Sequence, residues 1–160
     1  NNLVGCAYTT GKIEIMSDGT PWRPVVHVKD VCSAFIAGVE APSSIVSARA
    51  FNVGIPNGNF TVRDIAEAAQ RAVPGCELIF TGEHSDPRTY RVSFNRILTE
   101  LKDYYRPEWS LDRGGRELKE LYDRILFTEK QFRGRNTIRL KQLSHLKDSG
   151  RMDDSFRLVQ

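Results

Sequence analysis

Long apolar runs are absent from this sequence, and so are the cysteine patterns of disulfide-rich or zinc-binding proteins. No apolar stretch approaches the ~18–20 residues that a membrane-spanning helix needs. The three cysteines, Cys6, Cys32 and Cys76, are odd in number, far apart and without a CxxC pair. Such sparse cysteines favour a reducing compartment, so we expect a cytoplasmic protein. The three histidines do not cluster either, and no metal site or Ser/His/Asp arrangement can be assembled.

A glycine-rich dinucleotide-binding loop is also absent, and the chain opens on Asn1 without an initiator methionine. Its 160 residues, 40% hydrophobic and 27% charged, are enough for one domain with a real core. The net charge is only +3. The excess lies in residues 129–160, where eight basic residues face four acidic ones. A non-enzymatic interaction module that uses this basic region is therefore one alternative. Since the region lacks interleaved aromatic residues, we expect no nucleic-acid partner. We expect no membrane partner either, because no apolar run is long enough to span a membrane.

Short strands and helices are predicted to mix along the chain, without the regular alternation of a complete doubly wound sheet. The patterns predict strands at 12–16, 22–28, 50–54 and 77–80, and helices at 1–10, 30–40, 61–72, 95–101, 110–125 and 138–146. Asp30 is the expected N-cap of its helix, and Thr61 with Asp64 forms an expected capping box. We expect an α/β lobe at 1–126, followed by an extension at 127–160 with one amphipathic helix.

Two basic segments are candidates for binding a phosphorylated ligand. Arg23 follows a tight turn and lies on a predicted strand, where its planar guanidinium could hold two phosphate oxygens. The alternative is a surface arginine in a salt bridge. Arg88 and Tyr90 project to the same side of an extended stretch, so Arg88 could bind phosphate while Tyr90 packs on a sugar or base. Asp86 could accept from a ribose hydroxyl or could simply begin a turn.

Three further polar groups have weaker functional interpretations. Asn2, near a helix start, could donate to an anionic ligand or be an ordinary terminal residue. Tyr8 and Lys12 match Tyr-x-x-x-Lys, the acid–base pair of short-chain dehydrogenases. Gly11 interrupts the required helical turn, so we interpret this match as coincidental. His27 alternates with valines and is expected on the less buried face of a strand, not as a general base.

An ordered set of segments carries a family resemblance. These are NNL at 1–3, SDGTPWRPVVHVKDVCSAF at 17–35, FNVG at 51–54, FTVRDIAEA at 60–68, DPRTYRVSF at 86–94 and SLDRGGRELKEL at 110–121. Together they resemble the C-terminal half of an extended short-chain dehydrogenase/reductase, in the NAD-dependent epimerase/dehydratase family that acts on nucleotide sugars. The resemblance implies an α/β fold, namely the substrate-binding lobe of a Rossmann-type enzyme whose N-terminal cofactor half is missing.

The resemblance also assigns roles to individual residues. It implies that Asn2, with Leu3 beside it, and Arg23 contact the diphosphate of a nucleotide sugar, and that Asp86 lies near the ribose. Arg88 would supply a charge that relatives carry just before Asp86. NAD would be bound by the missing half, so no cofactor is expected on this chain, and the fragment alone is expected to be inactive. The full-length protein would be a homodimer candidate. The chain departs from the family at Pro24, where an aspartate is usual.

Overall fold

The computed structural model of the protein describes residues 1–82 and 88–159. Helices and short strands alternate irregularly along it. The helices are α1 (Asn2–Thr10), α2 (Val28–Glu40), α3 (Ser43–Val46), α4 (Val62–Ala72), α5 (Asn95–Glu100), α6 (Leu111–Arg124), α7 (Glu129–Phe132) and α8 (Arg139–Asp148). The strands are β1 (Lys12–Ile15), β2 (Trp22–Pro24), β3 (Asn59–Thr61) and β4 (Glu77–Phe80).

The four strands in the described part of the chain form two separate pairs. Strands β1 and β4 are parallel, with Lys12 opposite Glu77. Strands β2 and β3 are antiparallel, with Arg23 opposite Phe60. Strand β2 ends at Pro24, although the Val25 N–H beyond it still donates to the Gly58 carbonyl at 2.9 Å. The strand predicted at 22–28 is therefore real but shorter than expected.

Two hydrophobic clusters hold these elements together. The first joins α1, β1, α4 and α6 around fully buried Ile13 and Ala66. The second joins α2 to α5 and the following turn, around Ala37, Ile97 and Tyr105. The first cluster brings the start of the chain against α4 and α6.

The start of α2 corrects the predicted helix cap. The helix begins at Val28, and the N-cap is His27, whose Nδ1 accepts a hydrogen bond of 3.2 Å from the Lys29 N–H. Asp30 lies inside the first turn and is only 3% exposed. The cap prediction was wrong because the Asp30 carboxylate accepts hydrogen bonds from a loop distant in sequence and not from its own helix. His27 is likewise not a strand residue.

The strand predicted at 50–54 does not form. Phe51 and Val53 do pack against the second hydrophobic cluster, which explains the apolar alternation of this segment. No strand pairs with 50–54 among the described residues. The segment therefore has the alternating side chains of a strand, but its backbone forms no strand-to-strand hydrogen bonds with the described strands.

The other predicted helices lie close to their expected positions, whereas α3 and α7 were not predicted. The Thr61–Asp64 capping box is present, and Ser110 accepts from the Arg113 N–H at 3.2 Å to begin α6. In the C-terminal region, Phe127 stacks on Tyr122 with ring centroids 4.5 Å apart. The helix predicted at 138–146 is found as α8, in which no residue is buried, and its amphipathic character stays a prediction. The division of the chain after residue 126 stays a prediction.

Candidate functional site

A mostly apolar cavity of about 610 Å³ lies between α1, α2, α4 and α6. This volume is in the range of small-molecule sites, which are commonly apolar with a few polar groups. Its walls include two of the sequence-predicted residues and several that were not predicted: Asn2, Leu3, Val25, His27, Phe60 and Trp109. A flat ligand of moderate size could be accommodated there.

One wall of the cavity is an aromatic and charged stack. The ring of His27 lies parallel to Trp109, with centroids 3.9 Å apart and an interplanar angle of 11°. The other His27 nitrogen, Nε2, is 2.9 Å from a Glu117 carboxylate oxygen, and Lys29 also pairs with Glu117. The Lys29 ammonium is the main reason that the pKa of Glu117 lies below its usual range. The guanidinium of Arg113 lies 4.1 Å from the Trp109 ring, so the indole is held by several neighbours.

Asp30 anchors this wall from behind. Its two carboxylate oxygens accept the backbone N–H groups of Glu108 at 2.9 Å and Trp109 at 3.1 Å. A buried carboxylate needs such donors, and charge-assisted hydrogen bonds of this kind are strong. Sequence reasoning assigned Asp30 only a local cap. Asp30 lies four positions before Ala34 and therefore on the same, buried face of the helix. A buried carboxylate at this position indicates a hydrogen-bonding partner elsewhere in the fold.

A second group of predicted residues meets beside β2. The Arg23 Nη1 donates to the Trp22 carbonyl at 2.7 Å and to the Arg88 carbonyl. The guanidinium carbon of Arg23 is 5.8 Å from the centre of the Tyr90 ring. The Trp22 N–H donates to the Thr89 hydroxyl at 3.0 Å, which ties the two segments together. Arg23, Arg88 and Tyr90, predicted as two groups far apart in sequence, therefore lie together.

The predicted site residues thus fall into two places. Asn2 and Leu3 line the cavity, whereas Arg23 and its neighbours lie outside the cavity walls. The chain connects them directly, because Val25 follows β2 and lines the cavity. Asp86 lies outside the described residues.

The Tyr-x-x-x-Lys match does not bring its two side chains into one helical turn. Helix α1 ends at Thr10, Gly11 has φ +70°, and Lys12 starts β1. The Lys12 ammonium pairs with Glu77 at 3.1 Å. Burial and a hydrogen bond to Asp123 raise the pKa of Tyr8, which is the opposite of what an activated phenol requires.

No group of three or more His, Cys, Asp or Glu side chains in residues 1–82 and 88–159 could hold a metal ion. No helix there is both long enough and apolar enough to cross a membrane.

This chain is similar to known proteins both in sequence and in fold. Residues 2–54 match the model of the NAD dependent epimerase/dehydratase family. Among solved structures, a UDP-glucuronic acid 4-epimerase from Bacillus cereus, in complex with UDP-glucuronic acid and NAD, matches at a TM-score of 0.60 and 19% identity. The match covers 79% of this chain and 39% of that one.

Two further solved structures give similar values. A dTDP-glucose 4,6-dehydratase from Bacillus anthracis, in complex with NAD, has a TM-score of 0.55 and 18% identity over 81% of this chain and 40% of its own. An L-threonine dehydrogenase from Phytophthora infestans has a TM-score of 0.59 and 17% identity over 76% and 40%. The chain therefore spans about two fifths of the length of these structures. At these identities the likeness shows the fold alone.

The matches confirm the predicted α/β fold class, as part of a Rossmann-type short-chain dehydrogenase fold. The family match also agrees with the ordered motifs, two of which, at 17–35 and 51–54, fall inside residues 2–54. The chain thus resembles a portion of an NAD-dependent epimerase/dehydratase of the extended short-chain dehydrogenase/reductase family.

Proposed function

We propose that this chain is the nucleotide-sugar-binding portion of an NAD-dependent epimerase/dehydratase. The single observation that carries the proposal is the contact between Arg23 and the segment of Arg88 and Tyr90, on a fold found in such enzymes. A cationic fork beside an aromatic ring suits a diphosphate joined to a sugar. Tyr90 is more than half exposed, so its ring is accessible to a ligand.

The cavity supplies the second half of the proposed site. Its apolar walls suit a nucleoside base, and the Asn2 carboxamide at its edge can donate to an oxygen of the ligand. Val25, two residues after Arg23, lines the cavity. One ligand with a charged and an uncharged end could therefore contact Arg23 and also enter the cavity. NAD would supply the hydride chemistry from outside this chain, and we expect the chain alone to be inactive.

Thermal shift against nucleotide sugars tests the proposal. A ligand at about tenfold its dissociation constant stabilises the folded state by roughly 1.4 kcal/mol. For a chain of this size that corresponds to a rise in Tm of about 3–6 °C. UDP-, GDP-, CDP- and dTDP-sugars should be compared with the matching nucleosides, which lack the diphosphate. We expect a shift with at least one nucleotide sugar and a much smaller one with its nucleoside, which keeps the base but lacks the diphosphate that Arg23 would bind.

Two variants of Arg23 and one control locate the ligand. Arg23→Ala should abolish the shift, and Arg23→Lys should reduce it, because an ammonium keeps the charge but loses the bidentate fork. Arg135→Ala, at an exposed arginine of the C-terminal region, should leave the shift unchanged. An equal shift in Arg23→Ala and the unchanged chain would remove Arg23 from the site. Turnover of UDP-glucuronic acid with NAD by this chain alone would contradict the expected inactivity.

A further inference from the structure

The segment 88–92, which carries Arg88 and Tyr90, lies beside the β2–β3 pair without being a strand of it. A single side chain binds both backbone groups of one residue in this segment. The Val92 N–H donates to the Asn59 Oδ1 at 2.8 Å, and the Asn59 Nδ2 donates to the Val92 carbonyl at 2.9 Å. The Asn59 carboxamide therefore makes the two hydrogen bonds that a residue of a neighbouring strand would make.

The position of Asn59 in the β2–β3 pair explains why a side chain makes these bonds. Asn59 lies opposite Pro24 in the register, and a proline has no N–H to donate. The carboxamide supplies a donor and an acceptor beside a residue that has no donor. Both hydrogen bonds are part-buried, and leaving backbone groups unpaired in such a place is costly. Loss of the carboxamide would therefore release Val92 from the β2–β3 pair.

Trp22 holds the same segment at a second point. Its carbonyl accepts the Tyr90 N–H at 3.4 Å, and the guanidinium carbon of Arg91 lies 3.6 Å from the centre of its ring. The next residue, Arg23, has its guanidinium carbon 5.8 Å from the centre of the Tyr90 ring. The segment is thus fixed at Trp22 and, two residues after Tyr90, at Asn59.

We propose that Asn59 is a positioning residue for the ligand site at Arg23. It holds the segment 88–92 so that the Tyr90 ring stays beside the Arg23 guanidinium, and it does not itself touch the ligand. This inference rests on the proposed function. A side chain that is already in place before the ligand arrives costs less to order on binding. Asn59 is not among the residues that line the cavity, so its effect on affinity comes through the segment.

Affinity for the nucleotide sugar that gives the largest thermal shift measures this effect. Asn59→Ala should raise the dissociation constant about tenfold, at a temperature where the variant is fully folded. Asn59→Asp has the same size but no donor for the Val92 carbonyl, so its affinity should also fall. Thr128→Ala, which removes the cap of α7, should lower stability without changing the dissociation constant. If Asn59→Ala does not fold, the isosteric Asn59→Asp replaces it in every measurement.

Hydrogen exchange of the ligand-free chain measures how firmly the segment is held. The Tyr90 amide contacts Trp22 and not Asn59, so faster exchange in Asn59→Ala means that the segment has been released. We expect about tenfold faster exchange at Tyr90 and no change at the Glu77 amide, which donates to the Gly11 carbonyl.

Two outcomes would overturn the inference. One is an unchanged exchange rate of the Tyr90 amide, and the other is an equal dissociation constant for the unsubstituted chain and Asn59→Ala. If no nucleotide sugar binds the unsubstituted chain, the proposed function fails. The Tyr90 amide then still decides whether Asn59 positions the segment.

Discussion

Removing the Asp30 carboxylate should destabilise the protein far more than an ordinary surface substitution. Asp30→Ala leaves two part-buried backbone N–H groups, those of Glu108 and Trp109, without their carboxylate acceptor. Hydrogen bonds to a charged group contribute roughly 1.5–3 kcal/mol each, so we expect a loss of about 3–5 kcal/mol. That is a large part of the ~5–15 kcal/mol by which a typical domain is stable.

Urea denaturation followed by circular dichroism measures this loss. With an m-value of about 2 kcal/mol/M, the midpoint should fall by roughly 1.5–2.5 M. Asp30→Asn keeps one acceptor but turns an amide NH₂ towards an N–H donor, so its loss should be intermediate. Asp103→Ala removes an exposed carboxylate and should change stability by no more than about 0.5 kcal/mol.

Tryptophan fluorescence gives a second readout of the same substitution. Only Trp22 and Trp109 emit, and Trp109 is the residue that Asp30 anchors beside His27. A change in emission at urea concentrations below the main transition is expected for Asp30→Ala. A loss of less than about 1 kcal/mol, with unchanged emission, would refute the assignment of Asp30 as the anchor of this loop.

Three other predictions concern single residues. Burial, aided by a nearby carboxylate, raises the pKa of Tyr105 from 10.0 to about 12. Its contribution to stability is therefore complete below pH 10 and lost as the pH rises towards 12. Burial also raises the pKa of Tyr8 and Tyr122. An ultraviolet titration should therefore show several late tyrosines, of which the one near pH 12 disappears in Tyr105→Phe. Gly54→Ala would place a methyl 2.3 Å from the Phe94 ring and should cost about 1–3 kcal/mol in thermal unfolding. Gly38→Ala, with open space around it, should be neutral or stabilising. Thr61→Ala should cost about 1 kcal/mol in urea unfolding, and Thr61→Ser much less. Equal effects of Gly54→Ala and Gly38→Ala, or of both Thr61 variants, would contradict these assignments.

Features encoded by neighbouring residues could be predicted from the sequence. The Thr61–Asp64 box and the Ser110 cap are recognisable because the capping side chain and its N–H partner lie three residues apart. Strand β4 was predicted at its observed bounds because Pro74 and Gly75 mark its start. In each case the physical cause is local.

Features that depend on distant partners could not be predicted in the same way. The partners of His27 and Asp30 lie in residues 108–117, and no pattern around 27–30 identifies them. The segment 50–54 has the side chains of a strand, yet a ladder requires a second backbone that no described strand provides. For the candidate site, sequence reasoning found both Arg23 and Tyr90 but not their contact. The Trp109 wall of the cavity was missed altogether.

The pairing of β1 with β4 has a consequence for how the chain is made. Ile13 and Ile15 on β1 are buried only when β4, α4 and α6 have all been synthesised. At ribosomal rates of ~5–20 residues per second, roughly 3–13 s pass between the synthesis of Lys12 on β1 and that of Glu77 on β4. Throughout that interval its apolar edge is open to other nascent chains. Slow decoding between residues 15 and 77 should therefore lower the yield of folded protein, and a chaperone that shields this short strand should restore it.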